Sequence, residues 1–469
     1  MGVDYDVDLA VIGSGGAAMS AAIAASQAGK SVVLVERGVL GGTCVNIGCV
    51  PSKTLLAAAG ARHAALTNPF KGAPTSAAPV NLGDLVAQKD ALIERLRDAK
   101  YADVAAAYGF QVRPGQASFL DGDTLAVDGQ ALRARAYLVA TGATPAIPEV
   151  VGLDSVDRLT STTAMQLTEL PESLVVIGGG YVGMEQAQLF AHLGTRVSVV
   201  GRLAPHAEPE LAQRLREVFT DDGITVVEER ATTVAREPGP AGEVVVTTDS
   251  GEQVRGAQVL VATGRLPRTD GLNLAAAGVD VDERGFVVVD QTQRTSNPRV
   301  WAAGDVSGAP QYVYAAAAGG RAAALNALTE DRYPPAARVD YAGFPAVVFT
   351  RPQLASAGLT EDEALTRGHA CDCRVLDLSD VPRALVQHDT RGAVKLVADA
   401  VSGKVLGVHA LADGAGEIML AATYAIKSGM TVDDLADTWA PYLTMSESLR
   451  IVAGLDDPTS GTVTAAGNR

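Results

Sequence analysis

Two segments of the sequence share one pattern: an apolar strand, a glycine-rich turn, a helix and a second apolar strand. The first, residues 7–36, reads VDLAVIGSGGAAMSAAIAASQAGKSVVLVE, and the second, residues 172–202, reads ESLVVIGGGYVGMEQAQLFAHLGTRVSVVGR. In such a unit a buried parallel strand runs into a turn without side chains, and the N-terminus of the following helix can bind a pyrophosphate. A single turn of this kind is a weak signal, whereas two complete units predict two dinucleotide-binding domains.

The residues that end the second strand of each unit separate the two expected ligands. Glu36 lies 23 positions after Gly13, where an acid accepts a hydrogen bond from a ribose 2′-hydroxyl. Gly201 lies 23 positions after Gly178 and is followed by Arg202. A small residue with a guanidinium accommodates a 2′-phosphate, which an acid would repel. The second unit is therefore predicted to bind NADPH in preference to NADH.

Two similar segments flank the second unit and indicate that it is inserted into the first domain. They read LVATGATPAIP and LVATGRLPRTD. The predicted fold class is α/β, with two Rossmann-like dinucleotide-binding domains, one inserted in the other, and a C-terminal α+β domain. The predicted domains are residues 1–150 and 271–337 for the first and second parts of the FAD-binding domain, 151–270 for the NAD(P)H-binding domain, and 338–469 for the C-terminal domain with a flexible tail.

Composition excludes several classes of partner. With 38 Lys and Arg against 54 Asp and Glu, the formal net charge is −16, which argues against a nucleic acid or an anionic membrane surface. No apolar run reaches about 18 residues without a polar break, so no transmembrane helix is predicted. The N-terminus lacks the pattern of a secretory signal, and four cysteines make no disulfide framework. A cytoplasmic location is expected.

The cysteines with the most informative spacing lie in GGTCVNIGCVPSK, residues 41–53. Cys44 and Cys49 are five positions apart, which in a regular helix separates their Cα atoms by roughly 8–9 Å. A disulfide needs less than about 7 Å, so the pair can close only if the helix is distorted, and Gly48 permits that. The spacing does not suit a zinc knuckle, whereas paired thiols beside a cofactor site are typical of redox chemistry.

With these motifs, the ATG tripeptides and GD at 304–305, the chain resembles the pyridine-nucleotide flavoprotein disulfide oxidoreductases over essentially its whole length. The resemblance implies FAD in the first unit, a nicotinamide nucleotide in the second, and a C-terminal domain that forms a homodimer interface. It implies that Cys44 exchanges with substrate and that Cys49 lies against the flavin as the charge-transfer thiolate. Lys53 would lie near flavin N5 and pair with Glu185, and Tyr181 would gate the nicotinamide pocket.

Asp305 ends a predicted buried strand, where a carboxylate can bond the ribityl hydroxyls of a flavin, although a helix N-cap is an equally simple interpretation. The motifs and the resemblance together give the full set of expected cofactor-binding residues. They are Gly13, Gly15, Ala18, Glu36, Gly38, Thr43, Lys53, Ala117, Gly142, Gly178, Gly180, Tyr181, Gly183, Arg202, Gly264, Asp305 and Val313.

The C-terminal stretch indicates which acceptor is reduced. Members of the family that reduce dithiol or glutathione-type disulfides carry a His-Pro-Thr-x-x-Glu run, and the corresponding stretch here, from Tyr442 to Glu447, reads YLTMSE without a histidine. Protonation of a leaving thiolate would then lose its usual catalyst. With VPRALVQHDTRG and FPAVVFTRPQLASAG, the chain resembles the branch of the family that reduces Hg(II).

This resemblance implies a homodimeric enzyme that moves two electrons from NADPH through FAD and the cysteine pair to Hg(II). Mercury(II) is a soft cation that prefers thiolate ligands, so Cys44 and Cys49 are the expected metal ligands. Tyr442 of the partner subunit would lie near the metal, with a core aromatic as the alternative. Neither Tyr442 nor Glu447 has an obvious role within its own chain, and both are predicted catalytic residues with Lys53 and Glu185.

The remaining cysteines leave alternatives open. No cysteine follows Cys373, although many enzymes of this branch end with a cysteine pair. A related reductase of a quinone or an unusual disulfide, with the same redox-active pair, is therefore the alternative function. Cys371 and Cys373 would share one face of a strand and could present two thiols to a metal. Two cysteines in an edge strand without a function is the simpler interpretation.

Overall fold

The computed structural model describes residues 5–239, 242–328 and 337–455, so the tail predicted to be flexible lies outside the described residues. The strands of the described residues are β1 (Val7–Ile12), β2 (Val32–Glu36), β3 (Gln111–Pro114), β4 (Ala117–Phe119), β5 (Leu125–Val127), β6 (Gln130–Leu132), β7 (Ala134–Val139), β8 (Ala143–Pro145), β9 (Arg158–Thr160), β10 (Ser173–Ile177), β11 (Arg196–Val200), β12 (Thr225–Val227), β13 (Ala231–Arg236), β14 (Val244–Thr248), β15 (Gln253–Gly256), β16 (Gln258–Val261), β17 (Arg265–Pro267), β18 (Val300–Ala302), β19 (Pro345–Val348), β20 (Gln353–Gly358), β21 (Cys371–Asp377), β22 (Ala393–Asp399) and β23 (Val405–Ala412).

The helices of the same residues are α1 (Gly16–Gln27), α2 (Gly42–Asn46), α3 (Cys49–Leu66), α4 (Leu82–Arg97), α5 (Asp103–Tyr108), α6 (Ser161–Ala164), α7 (Tyr181–Leu193), α8 (Pro209–Asp221), α9 (Val313–Leu328), α10 (Glu361–Thr366), α11 (Pro382–Gln387), α12 (Ala415–Ser428), α13 (Val432–Asp437) and α14 (Glu447–Ala453). None of these helices is both long and apolar enough to cross a bilayer.

Two parallel sheets carry the two repeated units. The first has the order β18-β7-β1-β2-β3 and the second the order β12-β11-β10-β16-β9. Their central strands are apolar and buried on both faces, as parallel strands covered by helices require. Alanine-rich α1 packs closely on α9 because small side chains let the two helices approach. The predicted class, with two Rossmann-like units, is confirmed.

The chain connects the two units through the similar segments that flank the second one. β8 lies within the first segment and pairs antiparallel with β17, which lies within the second. The two crossings between the units therefore lie side by side, which fits an inserted second unit. The exact domain boundaries remain a prediction.

The C-terminal domain is an antiparallel sheet of order β19-β20-β23-β22-β21, with α12 packed against β20 and β23. Strand β21 lies at the edge of this sheet. The buried side chains of the sheet and of α12 form one hydrophobic cluster, which confirms the predicted α+β domain.

A buried lysine joins this domain to the second unit. Lys395 on β22 is 1% exposed, and its Nζ lies 2.8 Å from Glu208, 3.0 Å from Glu210 and 2.7 Å from Glu361. Glu208 is itself 3% exposed. Two buried charges are stable only when they are paired, so this cluster fixes the position of the C-terminal sheet against the second unit.

A second junction lies where α3, α7 and the end of α8 meet. The rings of His63 and His192 stack with centroids 3.7 Å apart, and His192 Nε2 lies 2.9 Å from Asp222. These three side chains could reach a common cation. However, the Arg391 guanidinium lies 3.6 Å from the Asp222 carboxylate and already supplies it with a positive charge. The positive charge of Arg391 and the stacked rings favour a structural junction.

Replacing Lys395 with Met tests the first junction. The change leaves the Glu208 carboxylate buried without its cation, which should destabilise the protein by about 3–5 kcal/mol. Urea unfolding followed by circular dichroism measures the shift in midpoint. Lys427→Met is the matched control, since it breaks an exposed pair with Asp340 and should cost less than about 1 kcal/mol. Equal shifts for the two variants would contradict the assigned role of Lys395.

Candidate active site

A break between two helices brings Cys44 and Cys49 together. Helix α2 ends at Asn46, and α3 begins at Cys49. Gly48 between them has φ −125° and ψ −106°, and a Cβ there would lie 3.0 Å from the carbonyl oxygen of Thr43. The distortion that the spacing requires therefore occurs at Gly48. It places the two sulfurs within hydrogen-bonding reach, and both are free thiols in this structure.

The surroundings divide the two thiols into a proton donor and a thiolate. The Cys44 S–H donates to the sulfur of Cys49 and, with the positive charge of Lys53, lowers the pKa of Cys49 to about 7. Cys49 is also the first residue of α3, where the helix dipole favours an anion. The pKa of Cys44 is raised, because its proton bonds Cys49 and because the side chain is partly buried. Near neutral pH the negative charge therefore lies on Cys49.

Lys53 lies one turn after Cys49 on α3 and forms an ion pair with Glu185 of α7. Its Nζ donates to both carboxylate oxygens, at 2.9 and 2.7 Å. Glu185 is 7% exposed, and its Oε1 also accepts the backbone N–H of Phe349 at 3.0 Å. The Phe349 ring lies 4.7 Å from the Lys53 nitrogen. Residues from the first unit, the second unit and the C-terminal domain thus meet beside the thiol pair.

The turn after β1 has the shape of a phosphate cradle. Gly13 has φ +111°, and a Cβ there would collide with the carbonyl oxygen of Ala140. A Cβ at Gly42 would lie 2.6 Å from the Cα of Gly15, so these two backbones approach closely. Helix α1 begins at Gly16 without a side-chain cap, which leaves its first N–H groups available to a pyrophosphate.

Polar groups beside this turn suit the rest of FAD. Glu36 ends β2 and accepts hydrogen bonds from the Ser14 hydroxyl at 2.6 Å and from the Gly38 N–H at 2.7 Å. Asp305 lies 3.6 Å from Arg265, and burial raises the pKa of its carboxyl. The Nε–H of Arg265 is buried without a hydrogen-bond partner among the described residues. A desolvated carboxylate beside a buried N–H without a hydrogen bond fits a polar ligand such as a flavin side chain.

The other residues expected to contact FAD border the same region. A Cβ at Gly16 would lie 2.9 Å from a methyl group of Val313, the first residue of α9. Among the rest, Ala18 in α1 and Ala117 at the start of β4 are buried, Thr43 in α2 is half-buried, and Gly142 lies between β7 and β8.

The second glycine-rich turn repeats this geometry. Gly178 has φ +112°, and a Cβ there would lie 2.5 Å from the carbonyl oxygen of Ala262. Gly183 in α7 packs so closely on Gly178 that a Cβ would collide with the Gly178 carbonyl. Gly180 precedes α7 without a side-chain cap, and Gly264, with φ +118°, follows β16. These positions fit a second dinucleotide.

Two residues beside the second glycine-rich turn were expected to contact the nicotinamide nucleotide. Tyr181 was expected to gate the nicotinamide pocket, and Arg202 to bond the 2′-phosphate. Tyr181 begins α7, and burial raises the pKa of its hydroxyl. Arg202 follows β11 and is exposed. An acid that the sequence did not indicate, Glu228, lies near Arg202, but its carboxylate also bonds Arg216 at 2.8 Å. The Arg202 guanidinium therefore remains accessible to an anionic ligand.

The C-terminal residues have different surroundings. Tyr442 is 72% exposed and Trp439 is 97% exposed, so the alternative of a core aromatic at Tyr442 is wrong. Glu447 is buried, and it accepts the Leu443 N–H and pairs with Arg450 at 3.1 Å. The expectation that Glu447 has no role in its own chain is therefore wrong, because the chain turns at Leu443 and directs that N–H toward the carboxylate.

Three residues that contribute to the candidate site were not predicted from the sequence. Ser14 lies inside the glycine-rich turn and could have been recognised as a hydroxyl beside Glu36. Arg265 and Phe349 gave no local signal, since their contacts join segments far apart in the chain.

Comparisons with known proteins agree with this geometry. The family model described as pyridine nucleotide-disulphide oxidoreductase matches residues 7–320, and the model of its dimerisation domain matches residues 344–453. A protein of Streptomyces lividans named mercuric reductase is 51% identical over 458 residues, 95% of this chain and 95% of its own length. A Staphylococcus aureus protein of the same name is 44% identical, covering 96% of this chain and 82% of its own.

Solved structures of the same architecture include the HOCl-induced flavoprotein disulfide reductase RclA from Escherichia coli in complex with Cu(II). It is 28% identical with a TM-score of 0.83, covering 94% of this chain and 98% of its own. LpdA from Mycobacterium tuberculosis is 29% identical with a TM-score of 0.83, covering 95% of this chain and 99% of its own.

The hydrogen bond from Cys44 predicts how Cys49 titrates. Cys44→Ala removes the S–H donor, so the pKa of Cys49 should rise above about 7. Because the thiolate fraction grows as pH rises through the pKa, the thiolate absorbance of the reduced protein should appear at higher pH in the variant. Ultraviolet pH titration on a Cys371→Ser, Cys373→Ser background measures this. Cys44→Ser keeps a hydroxyl donor and should shift less; equal shifts would rule out the hydrogen bond as the cause.

Proposed function

The chain belongs to the pyridine nucleotide-disulphide oxidoreductase family, and on that premise we propose that it reduces Hg(II) to elemental mercury with electrons from NADPH. The observation that carries the proposal is the thiol pair of Cys44 and Cys49 beside the Lys53–Glu185 ion pair. The histidine expected of disulfide-reducing members is missing from the C-terminal run. Relatives named mercuric reductase match along nearly the whole chain.

FAD, held at the first glycine-rich turn by residues such as Gly13, Glu36 and Asp305, would supply two-electron transfer from NADPH to the thiol pair. The chain itself supplies the ligands and the charges. Cys49, whose lowered pKa favours the thiolate, forms one S–Hg bond. Cys44 loses its proton and forms the second. Lys53, fixed by Glu185, stabilises negative charge at Cys49 before the metal binds.

The same residues explain why no imidazole is needed. When Hg(II) gains two electrons, both S–Hg bonds break and elemental mercury leaves, while both sulfurs stay on the protein as thiolates. No leaving thiolate has to be protonated, whereas the reduction of an organic disulfide requires that step. Tyr442 of the partner subunit would contribute a hydroxyl near the metal.

A homodimer fits the surface of the C-terminal domain. Its exposed apolar side chains include Trp439 at 97%, Tyr442 at 72%, Tyr424 at 63% and Leu420 at 57%. Large exposed apolar groups of this kind are typical of surfaces that a partner covers, and the matching family domain is a dimerisation domain. A cytoplasmic location suits an enzyme whose thiols cycle through the reduced state.

Product analysis tests the proposed reaction. Purified FAD-loaded protein, supplied anaerobically with NADPH, Hg(II) and excess thiol, should release one elemental mercury for each NADPH oxidised. Cys44→Ala keeps the cofactor sites but loses one S–Hg bond, and should release little mercury. If NADPH oxidation stops when mercury is added and no volatile mercury appears, the thiols only trap the metal. The alternative acceptors, a quinone or an unusual disulfide, would then be favoured.

Arg202 should set the preference for NADPH. Arg202→Ala removes a guanidinium that would bond the 2′-phosphate, an interaction worth about 1.5–3 kcal/mol, or roughly tenfold or more in kcat/KM for NADPH. The kcat/KM for NADH, which has no 2′-phosphate, should change little. Steady-state kinetics with both nucleotides measure the ratio. Arg196→Ala, at the opposite end of β11 from Arg202, is the matched control and should leave the ratio unchanged.

A further inference from the structure

Two cysteines outside the active site also lie side by side, on one face of a strand. Cys371 and Cys373 occupy alternate positions of β21, the edge strand of the C-terminal sheet, and are partly exposed. Residues two apart in a strand point to the same face. The Cys371 and Cys373 thiols lie within hydrogen-bonding reach of each other. The sequence holds four cysteines, so these two are its remaining thiols beyond Cys44 and Cys49.

The charges around this second pair favour a cation. Cys373 contacts the Glu361 carboxylate, and the Cys371 sulfur lies 4.0 Å from the Glu361 carbonyl oxygen. Lys395 is the nearest cation, but its charge is shared among Glu208, Glu210 and Glu361. One positive charge against three carboxylates leaves the neighbourhood negative. Burial and, after it, the Glu361 carboxylate raise the pKa of Cys373 to about 12, so this thiol keeps its proton near neutral pH until a metal displaces it.

The spacing of the two cysteines along the strand determines whether they form a disulfide or bind a metal ion. A disulfide needs Cβ atoms about 4 Å apart, whereas same-face residues of a strand are separated by roughly 6–7 Å along it. A linear S–metal–S unit spans roughly 4.6 Å between the sulfurs and bridges that gap more easily. Among the described residues, no third Cys, His or carboxylate ligand completes a compact set with both sulfurs. Tetrahedral zinc is therefore disfavoured, and a two-coordinate soft cation is favoured.

We propose that Cys371 and Cys373 form a second dithiol site on the edge of the C-terminal sheet, which binds one Hg(II) between the two sulfurs. Binding breaks two S–H bonds, forms two S–Hg bonds and releases two protons, with no change of oxidation state. The site would hold mercury on the surface of the enzyme, apart from the centre that reduces it. This inference rests on the proposed function only for the choice of Hg(II) as the natural ligand, since binding itself needs no reduction.

A chain without the inner thiols tests the second site alone. FAD-loaded, full-length Cys44→Ala, Cys49→Ala protein is mixed with one equivalent of HgCl2 and dialysed against excess cysteine, and retained mercury is measured by mass spectrometry. One mercury per chain should remain. Adding Cys371→Ser and Cys373→Ser together should abolish retention. Adding either one alone should reduce retention on the order of 100-fold, because a single thiol loses the second attachment.

The outcomes separate this inference from the proposed function. The second site would be overturned if the Cys44→Ala, Cys49→Ala protein and the single-serine variants lost their mercury at the same cysteine concentration. A thiol titration in which Cys371 and Cys373 no longer react because they have formed a disulfide would also overturn it. FAD content and circular dichroism of each variant verify the fold. Neither result depends on turnover, so a wild-type enzyme that fails to reduce Hg(II) would refute the proposed function and leave this test intact.

Discussion

The ion pair between Lys53 and Glu185 is the interaction on which the active site depends. It joins helix α3, which carries Cys49 at its start, to helix α7, which begins at the second glycine-rich turn. Glu185 also accepts the backbone N–H of Phe349 from the C-terminal domain. A buried carboxylate with these partners holds three parts of the fold in register, because its charge would be costly without them. The thiol pair thereby acquires a fixed positive charge nearby.

The second determinant is the interruption of the helix at Gly48. A continuous helix would keep Cys44 and Cys49 too far apart for either a disulfide or a shared metal. The break brings the sulfurs together and also makes Cys49 the first residue of a new helix, where the dipole favours a thiolate. One local feature of the backbone thus provides both the closeness and the unequal protonation of the two sulfurs. A soft cation uses both properties, since it needs two sulfurs and displaces only one firmly held proton.

Features with a local cause were predictable from the sequence, and those with a distant cause were not. The strand-turn-helix periodicity and the glycines at 13 and 178 determine the two Rossmann-like units through short-range sterics. Gly48 marks the helix break for the same reason. By contrast, Lys395 forms ion pairs with three carboxylates from two domains. Glu447 accepts a hydrogen bond from the Leu443 N–H only because the chain turns there. Such contacts depend on packing between segments far apart in the chain, which spacing alone does not reveal.

The central claim is that Cys44 and Cys49 together hold Hg(II) as substrate beside this ion pair. X-ray absorption at the mercury edge tests it directly on FAD-loaded Cys371→Ser, Cys373→Ser protein, after the inner pair has been reduced, excess reductant removed and one equivalent of Hg(II) added. Two sulfur ligands in a linear arrangement are predicted, with one remaining in the Cys44→Ala variant. A spectrum with one sulfur ligand, or with nitrogen and oxygen ligands alone, in the protein that retains both inner thiols would contradict the claim.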